Sequence, residues 1–305
     1  MSMRVATFNT SARMLETTLA TQARLTELQM QQATGKISTD YGGLGSSAGR
    51  LINVEVSKAR AEAFAKAASL SADRVEVMYD ACGAIVDVLT ELRAKISQAS
   101  GSLDSVGGQA INAVAAELME EAAALMNTQF EGRYLFAGSR VDTKPVDLSV
   151  LPAQSTAPTS FDTSYYNGDD AVTSVRVSND DVIEYGVTAA DPAFEKTLRV
   201  FNLVANMSVV PLDTAAMSEA SSMVLEALDA MTTVQTMLSL DARALERAEQ
   251  NQLDYVDYAE SMASNLGEVD IAAVTAKLST YEAQLQASYS AIAKIQSLRL
   301  VDYLR

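Results

Sequence analysis

The sequence predicts a mainly α fold: a long antiparallel helical or coiled-coil rod with a small β-rich insertion in the middle of the chain. Three observations predict it. Apolar residues recur at alternating steps of three and four in five separate segments of the 305-residue chain. Hydrophobic residues make up 48% of the chain, yet aromatics are only 6% and Trp is absent. That apolar share leans on Ala, the best helix former but a residue that buries little area, which suits long thin helices. Third, four of the five prolines (Pro145, Pro152, Pro158, Pro192) fall between 140 and 195, where the helical pattern stops.

Residues 5–32 read as the first amphipathic helix, with Val5, Phe8, Ala12, Leu15 and Leu19 on one stripe that resumes at Leu25 and Leu28. The segment 33–49, ATGKISTDYGGLGSSAG, is glycine-rich and breaks it. Helix returns from about 50 to 100, where Val75, Met78, Cys82, Ile85, Leu89, Leu92 and Ile96 keep an unbroken coiled-coil spacing. SGSLDSVGG at 100–108 reads as a turn, and Ile111, Val114, Leu118, Ala122 and Leu125 as the antiparallel partner helix.

Between 140 and 195 the pattern predicts a β insertion of three or more strands. Asn167-Gly168 is its expected type I′ hairpin turn, and Ser178–Asp181 a second turn. Helix resumes near 193, with Pro192 suited to a first turn. A stripe follows over Val224, Leu228, Met231, Gln235, Leu238, Ala242 and Leu245. The last helix carries Ile271, Val274, Leu278, Tyr281, Leu285, Ser288, Ile292 and Ile295, continued by Leu298, Val301 and Leu304. The expected division is 1–40 with 266–305 as a terminal coiled-coil domain, 41–139 with 193–265 as a helical bundle, and 140–192 as a small outward-facing β domain.

Composition narrows the function. The net charge of −16 lacks the basic footprint of a nucleic-acid binder and disfavours docking on anionic lipid. There is no His, and the single Cys allows no internal disulfide. No h-region of a secretory signal and no membrane-length apolar run is present, which on its own predicts a soluble, cytoplasmic chain. Without His, an enzyme reading rests on carboxylate pairs such as Asp169-Asp170, Asp180-Asp181 and Glu120-Glu121, expected as solvated surface. Cys82 is expected in the core. GLGSSA at 43–48 resembles a dinucleotide loop but follows a helix rather than a strand, so no cofactor and no metal is expected.

The ends of the chain point to assembly. Leaving seven apolar seam positions of 271–295 wet would forfeit on the order of 10 kcal/mol, at roughly 1.5–3 kcal/mol per Leu, Ile or Val side chain. Terminal helices with good seams therefore read as the polymerising part of a subunit. The expected packing residues are Val5, Phe8, Leu15, Leu19, Ile271, Val274, Leu278, Tyr281, Leu285, Ile292, Ile295, Leu298 and Val301.

Three blocks give these helices a family resemblance. QQATGKIS (31–38), GRYLFAGS (132–139) and DIAAVTAKLSTYEAQLQASYSAIAKIQSLRLVDYL (270–304) resemble the flagellin superfamily of flagellar axial proteins, and within it the hook–filament junction proteins, the third hook-associated class. Gly132, Arg133, Tyr134, Leu135, Phe136, Ala137 and Gly138 match the middle motif; Gly132 and Gly138 are expected to let the chain turn, and Tyr134, Leu135 and Phe136 to form a short strand that caps the bundle rather than a binding site. YYNGDD at 165–170 is similar to a hairpin often found in the insertion. The loop STDYGGLGSS departs from the Asp-Asp-Pro cluster frequent in the family.

The resemblance implies a non-enzymatic mechanical adaptor between hook and filament, with a filament flagellin as the alternative and a cytoplasmic helical scaffold as a more remote one. It implies export by the flagellar type III route without a cleaved signal peptide, to an extracellular position. Its implied partners are other copies in a ring or short helical zone, a second hook-associated protein and flagellin as axial neighbours, and an export chaperone at the C-terminal helix. Nucleic acid and membrane are not among them.

Overall fold

The 3-4 stripes fold as helices, and the Pro-rich middle folds as loops around two small hairpins. The computed structural model describes residues 2–101 and 105–303, with side chains over 12–99 and 110–294. The elements are α1 (Ser2–Thr34), α2 (Ala48–Gly101), α3 (Ser105–Met126), β1 (Gln129–Phe130), β2 (Arg133–Tyr134), β3 (Thr173–Arg176), β4 (Val182–Tyr185), α4 (Pro192–Asn206), α5 (Thr214–Gly267) and α6 (Ile271–Tyr303). The order of helices, β insertion and helices is the one the sequence predicts. Two compact units result: residues 1–60 with 255–305, and residues 61–254.

In the second unit the predicted stripes form the core. Val75, Met78, Cys82, Ile85, Leu89, Leu92 and Ile96 of α2 are all buried, as are Ile111, Leu118 and Ala122 of α3 and Val224, Met231, Leu238 and Leu245 of α5. The short helix α4, packed on α3, adds Phe194, Leu198, Phe201 and Leu203. Its start is fixed by Asp191, whose side chain accepts from the Ala193 amide at 2.8 Å, with Pro192 in the first turn. Helix α3 begins earlier than expected, taking in Gly107 and Gly108, which the sequence reading assigned to a turn.

The insertion is corrected in two respects. It holds one strand pair, β3–β4, rather than three or more strands, and an isolated bridge between Val146 and Tyr166. The β3–β4 turn does fall at the second expected place: the Val177 and Ser178 amides both donate to the Asp181 carbonyl. Asn167-Gly168 joins no strands, and Gly168 is absent from the glycines with positive φ. The reason is packing. A Cβ on Gly168 would lie 2.2 Å from the Tyr166 hydroxyl and 2.5 Å from the Ala137 carbonyl. The glycine is there for a close approach, not for a turn. The two-residue hairpin sits instead at Glu131-Gly132, between β1 and β2, where φ is +50° and +77°. Positive φ at both central positions is what a type I′ turn requires.

Loop 152–162 lacks strand pairing and is fastened by side chains. Asn202 accepts from the Gln154 amide at 3.2 Å and donates to the Pro152 carbonyl at 2.8 Å. Glu219 accepts from the Thr159 amide at 2.8 Å. Glu195, only 1% exposed, accepts from the Asp162 amide at 3.0 Å and faces Arg199 at 3.3 Å. Burial pushes the Glu195 carboxyl up, against the pull of the Asp162 amide and Arg199. With a folded-state pKa raised above the unfolded value, its contribution to stability is full below the ordinary 4.5 and is lost as pH rises through the folded value. Glu195→Gln is therefore expected to gain on the wild type as pH rises above the ordinary 4.5. Urea midpoints of both proteins across that range measure it, and parallel pH profiles would contradict it.

Candidate assembly site

In the first unit α1 and α6 pack on one another. The bridge between Lys36 and Glu268, antiparallel, and the hydrogen bond from Gln32 to Thr275 at 3.2 Å set their opposite directions. The connecting backbone is paired: the Ile37 amide donates to Gly267 and the Val269 amide to Gly35, where φ is +70°.

The seam of α6 follows the predicted phase. Val274 and Leu278 are buried, and Tyr281, Leu285 and Ile292 are half-buried, while Ile271 at the start is 54% exposed. Val5 and Phe8, and the side chains of Ile295, Leu298 and Val301, lie outside the described side chains.

Early in α1 the seam has a different phase from the stripe read in the sequence, while Leu25 and Leu28 of that stripe do turn inward. The residues turned inward are Met14, Thr18, Thr21, Leu25 and Leu28, again at 3-4 spacing. Thr18 is 4% exposed, its hydroxyl bonded to the Met14 carbonyl at 2.7 Å. That internal bond lets a Thr occupy an apolar seam without an orphaned donor. Leu15 and Leu19 are consequently 57% and 58% exposed. With Met30, 53% exposed, they share one outward face of α1, since four and eleven residues are close to whole turns. The expected packing residues are thus divided. Val274 and Leu278, with the half-buried Tyr281, Leu285 and Ile292, are covered within the chain, whereas Ile271, Leu15 and Leu19 are exposed.

The GRYLFAGS motif lies in the second unit and is a clasp. Gly132 makes the β1–β2 turn. Arg133 and Tyr134 form β2, with Arg133 exposed and the Tyr134 amide donating to Val141 at 2.8 Å. Leu135, half-buried, donates to the Thr128 carbonyl at 3.1 Å. Phe136 is fully buried and meets Phe194 of α4 edge-on, with ring centroids 5.3 Å apart. Its carbonyl accepts from Ala189 at 2.9 Å.

The buried Ala137 and Gly138 touch the second motif, YYNGDD. Ala137 accepts from the Asp169 amide, and the Asp169 carboxylate takes both the amide and the hydroxyl of Ser139. Those hydrogen bonds from Ser139 hold the Asp169 carboxyl below its usual range. Gly138 has φ +70°, and a Cβ there would lie 2.2 Å from the Asp169 carboxylate. Tyr165, fully buried, donates to the Ala189 carbonyl at 2.9 Å. The role of Asp169 escaped sequence reading, which placed the Asp169-Asp170 pair on the surface; its Asn-Gly context suggested a turn tip.

The other candidates are quiet chemically. Cys82 is fully buried, and burial pushes its thiol up to about 12, with Asp191 adding to the shift. The GLGSSA glycines fall in a 3-10 helix, Tyr41–Ser47, after α1. Asp170, Glu120, Glu121, Asp180 and Asp181 are exposed. Among the described residues no three His, Cys, Asp or Glu side chains converge on a possible metal position, and no helix is long and apolar enough to cross a membrane.

Comparison with known proteins places these helices. Residues 5–141 match the family model described as the bacterial flagellin N-terminal helical region. Among solved structures, a putative flagellar hook-associated protein from Vibrio parahaemolyticus superimposes with a TM-score of 0.60 at 12% identity, covering 72% of this chain and 97% of that one. The flagellar hook-associated protein-3 of Legionella pneumophila gives a TM-score of 0.45 at 14% identity, over 72% of this chain and 98% of that one. No curated protein sequence matches. Residues 5–141 are thus similar to a bacterial flagellin N-terminal helical region, and 72% of the chain shares its fold with the Vibrio parahaemolyticus structure.

Proposed function

We propose that this chain is a structural axial subunit of the bacterial flagellum, one that joins hook to filament as a mechanical adaptor. The observation that carries the reading is the match of residues 5–141 to the flagellin N-terminal helical region, which begins in α1, whose apolar face of Leu15, Leu19 and Met30 is uncovered among the described residues. The hook-associated name of the Vibrio parahaemolyticus structure and the GRYLFAGS motif favour the junction over the filament itself.

In this reading segments 1–40 and 266–305 form the axial domain and pack against other copies. Segments 41–139 and 193–265 form the surrounding bundle, and 140–192 faces outward. Axial neighbours are a second hook-associated protein and flagellin. An export chaperone covers the C-terminal helix before the chain leaves the cell. No catalytic step belongs to this role. Deleting the gene is expected to leave cells with hooks, no attached filaments, and flagellin shed into the medium, as scored by electron microscopy and blotting. Filaments of normal length on the mutant would remove the junction reading.

A further inference from the structure

The charge of this chain is segregated. Helices α1 and α6 hold six basic and four acidic residues, while the rest of the chain holds 17 basic and 35 acidic. The helix pair is therefore mildly cationic on a strongly anionic molecule. On α1, Arg13 and Arg24 are both exposed and have no ion-pair partner among the described residues. Eleven residues apart, they stand on one face, three turns or about 16 Å from each other. That face is neither the α6 seam of Met14, Thr18 and Leu25 nor the apolar face of Leu15 and Leu19, which lies nearly opposite it.

The same unit carries a counterpart. Loop 36–44, the first turns of α2 and the last turns of α5 enclose a groove of about 320 Å³. Its floor includes Leu51, Ala263 and Gly267, where a Cβ would meet Leu51 at 3.3 Å. Its rim carries Asp40, Glu55, Glu260 and Glu268 against Lys36 and Lys58, an excess of two negative charges. Lys58 answers Glu260 at 3.4 Å. Glu55 accepts from Tyr41 at 2.7 Å and Glu268 from Ser264 at 2.7 Å. Asp40 starts the 3-10 helix yet makes no side-chain cap.

We propose that this groove receives the Arg13–Arg24 face of a second copy of the chain. The inference rests on the assembly reading above and specifies the geometry of one contact. The two surfaces differ, so the contact is heterologous: each copy offers its cationic face to one neighbour and its groove to another. Such head-to-tail contacts build rings or helices rather than closed two-fold dimers. Complementary charge also fixes register and suppresses the contact between like anionic bodies.

A heterologous contact makes a demand that an isologous one does not. R13E/R24E places acid opposite the wild-type groove, and D40K/E260K places Lys opposite the wild-type cationic face. Each variant alone is expected to self-associate at least about tenfold more weakly than wild type in sedimentation velocity at low salt, where screening is weak. Mixed in equal amounts they present reversed but matching pairs, and association is expected to return to within about threefold of wild type. Circular dichroism of each variant must show wild-type helix content, as all four positions are exposed.

Wild-type association by either variant alone, failure of the folded mixture, or no association of the wild-type chain overturns the proposal. A failed mixture leaves the junction reading standing, because the deletion phenotype tests that separately. Normal filaments on the deletion strain would remove the junction reading without touching this contact.

Discussion

Phe136→Ala is expected to lower the stability of the second unit by about 3–5 kcal/mol, the range for truncating a fully buried aromatic. The size follows from where the ring sits. It is wholly buried and meets Phe194 edge-on, an arrangement that adds to simple burial. It also anchors a junction: its own carbonyl holds Ala189, two residues ahead of the cap of α4, while the next residues of the chain grip Asp169. Removing the ring opens a cavity at the point where α3, α4 and the insertion meet, and rigid helix backbones collapse into such a space poorly. Urea unfolding of the full chain followed by circular dichroism measures the loss. Phe161→Ala, at a position 59% exposed, supplies the control and should stay within about 0.5 kcal/mol of wild type. Equal midpoints for the two variants would contradict the clasp.

Much of this arrangement was legible in the sequence because helix periodicity is a local signal. Val75 to Ile96 forms a seam in the sequence and a seam in the structure, since seven consecutive 3-4 positions leave a helix only one way to bury them. The GRYLFAGS glycines were legible for a similar reason: positive φ at Gly132 and Gly138 is a demand on the backbone itself. Asn167-Gly168 misled because two different physical needs select the same residue. A type I′ turn needs glycine for its φ, and a close approach needs it for its missing Cβ. Only the position of Tyr166 and Ala137, fixed by tertiary folding, tells them apart.

The phase of α1 was hidden by a different ambiguity. Before Leu25 the helix carries two stripes of comparable spacing, and the more hydrophobic one, with Leu15 and Leu19, is the obvious choice for the interior; both readings share Leu25 and Leu28. The structure turns the Thr-containing stripe of Met14, Thr18, Thr21, Leu25 and Leu28 towards α6 instead. Thr hydroxyls that bond back to the carbonyl four residues earlier, as at Thr18 and Thr21, read as polar in a hydropathy count and behave as small apolar groups in place. The signal was present as spacing, but composition outvoted it. The apolar face left exposed among the described residues supports the proposed contact between copies.

That second face leads to the other large effect. Leu15→Asp with Leu19→Asp is expected to leave the folded chain unchanged and to weaken its self-association by tens to a few hundred fold. Each Leu is more than half exposed in the single chain. Covering the remainder in an assembly is worth roughly 1–1.5 kcal/mol per side chain if full burial is worth 1.5–3 kcal/mol. Together that is about 2–3 kcal/mol, and each 1.4 kcal/mol is tenfold in affinity. Burying the two new carboxylates adds a further cost, so the estimate is a lower bound. The comparison that isolates this face is Leu278→Asp. Leu278 is buried within the single chain, on the helix that packs on α1, so its substitution should cost helix content before any copies meet. Circular dichroism at low concentration separates the two variants, and sedimentation at high concentration reads association. If the double variant at Leu15 and Leu19 associated as wild type does, the uncovered face would be a solvated surface, and assembly would have to run through other parts of the terminal helices. If it lost helix content as Leu278→Asp does, the face would belong to the fold rather than to the contact between copies.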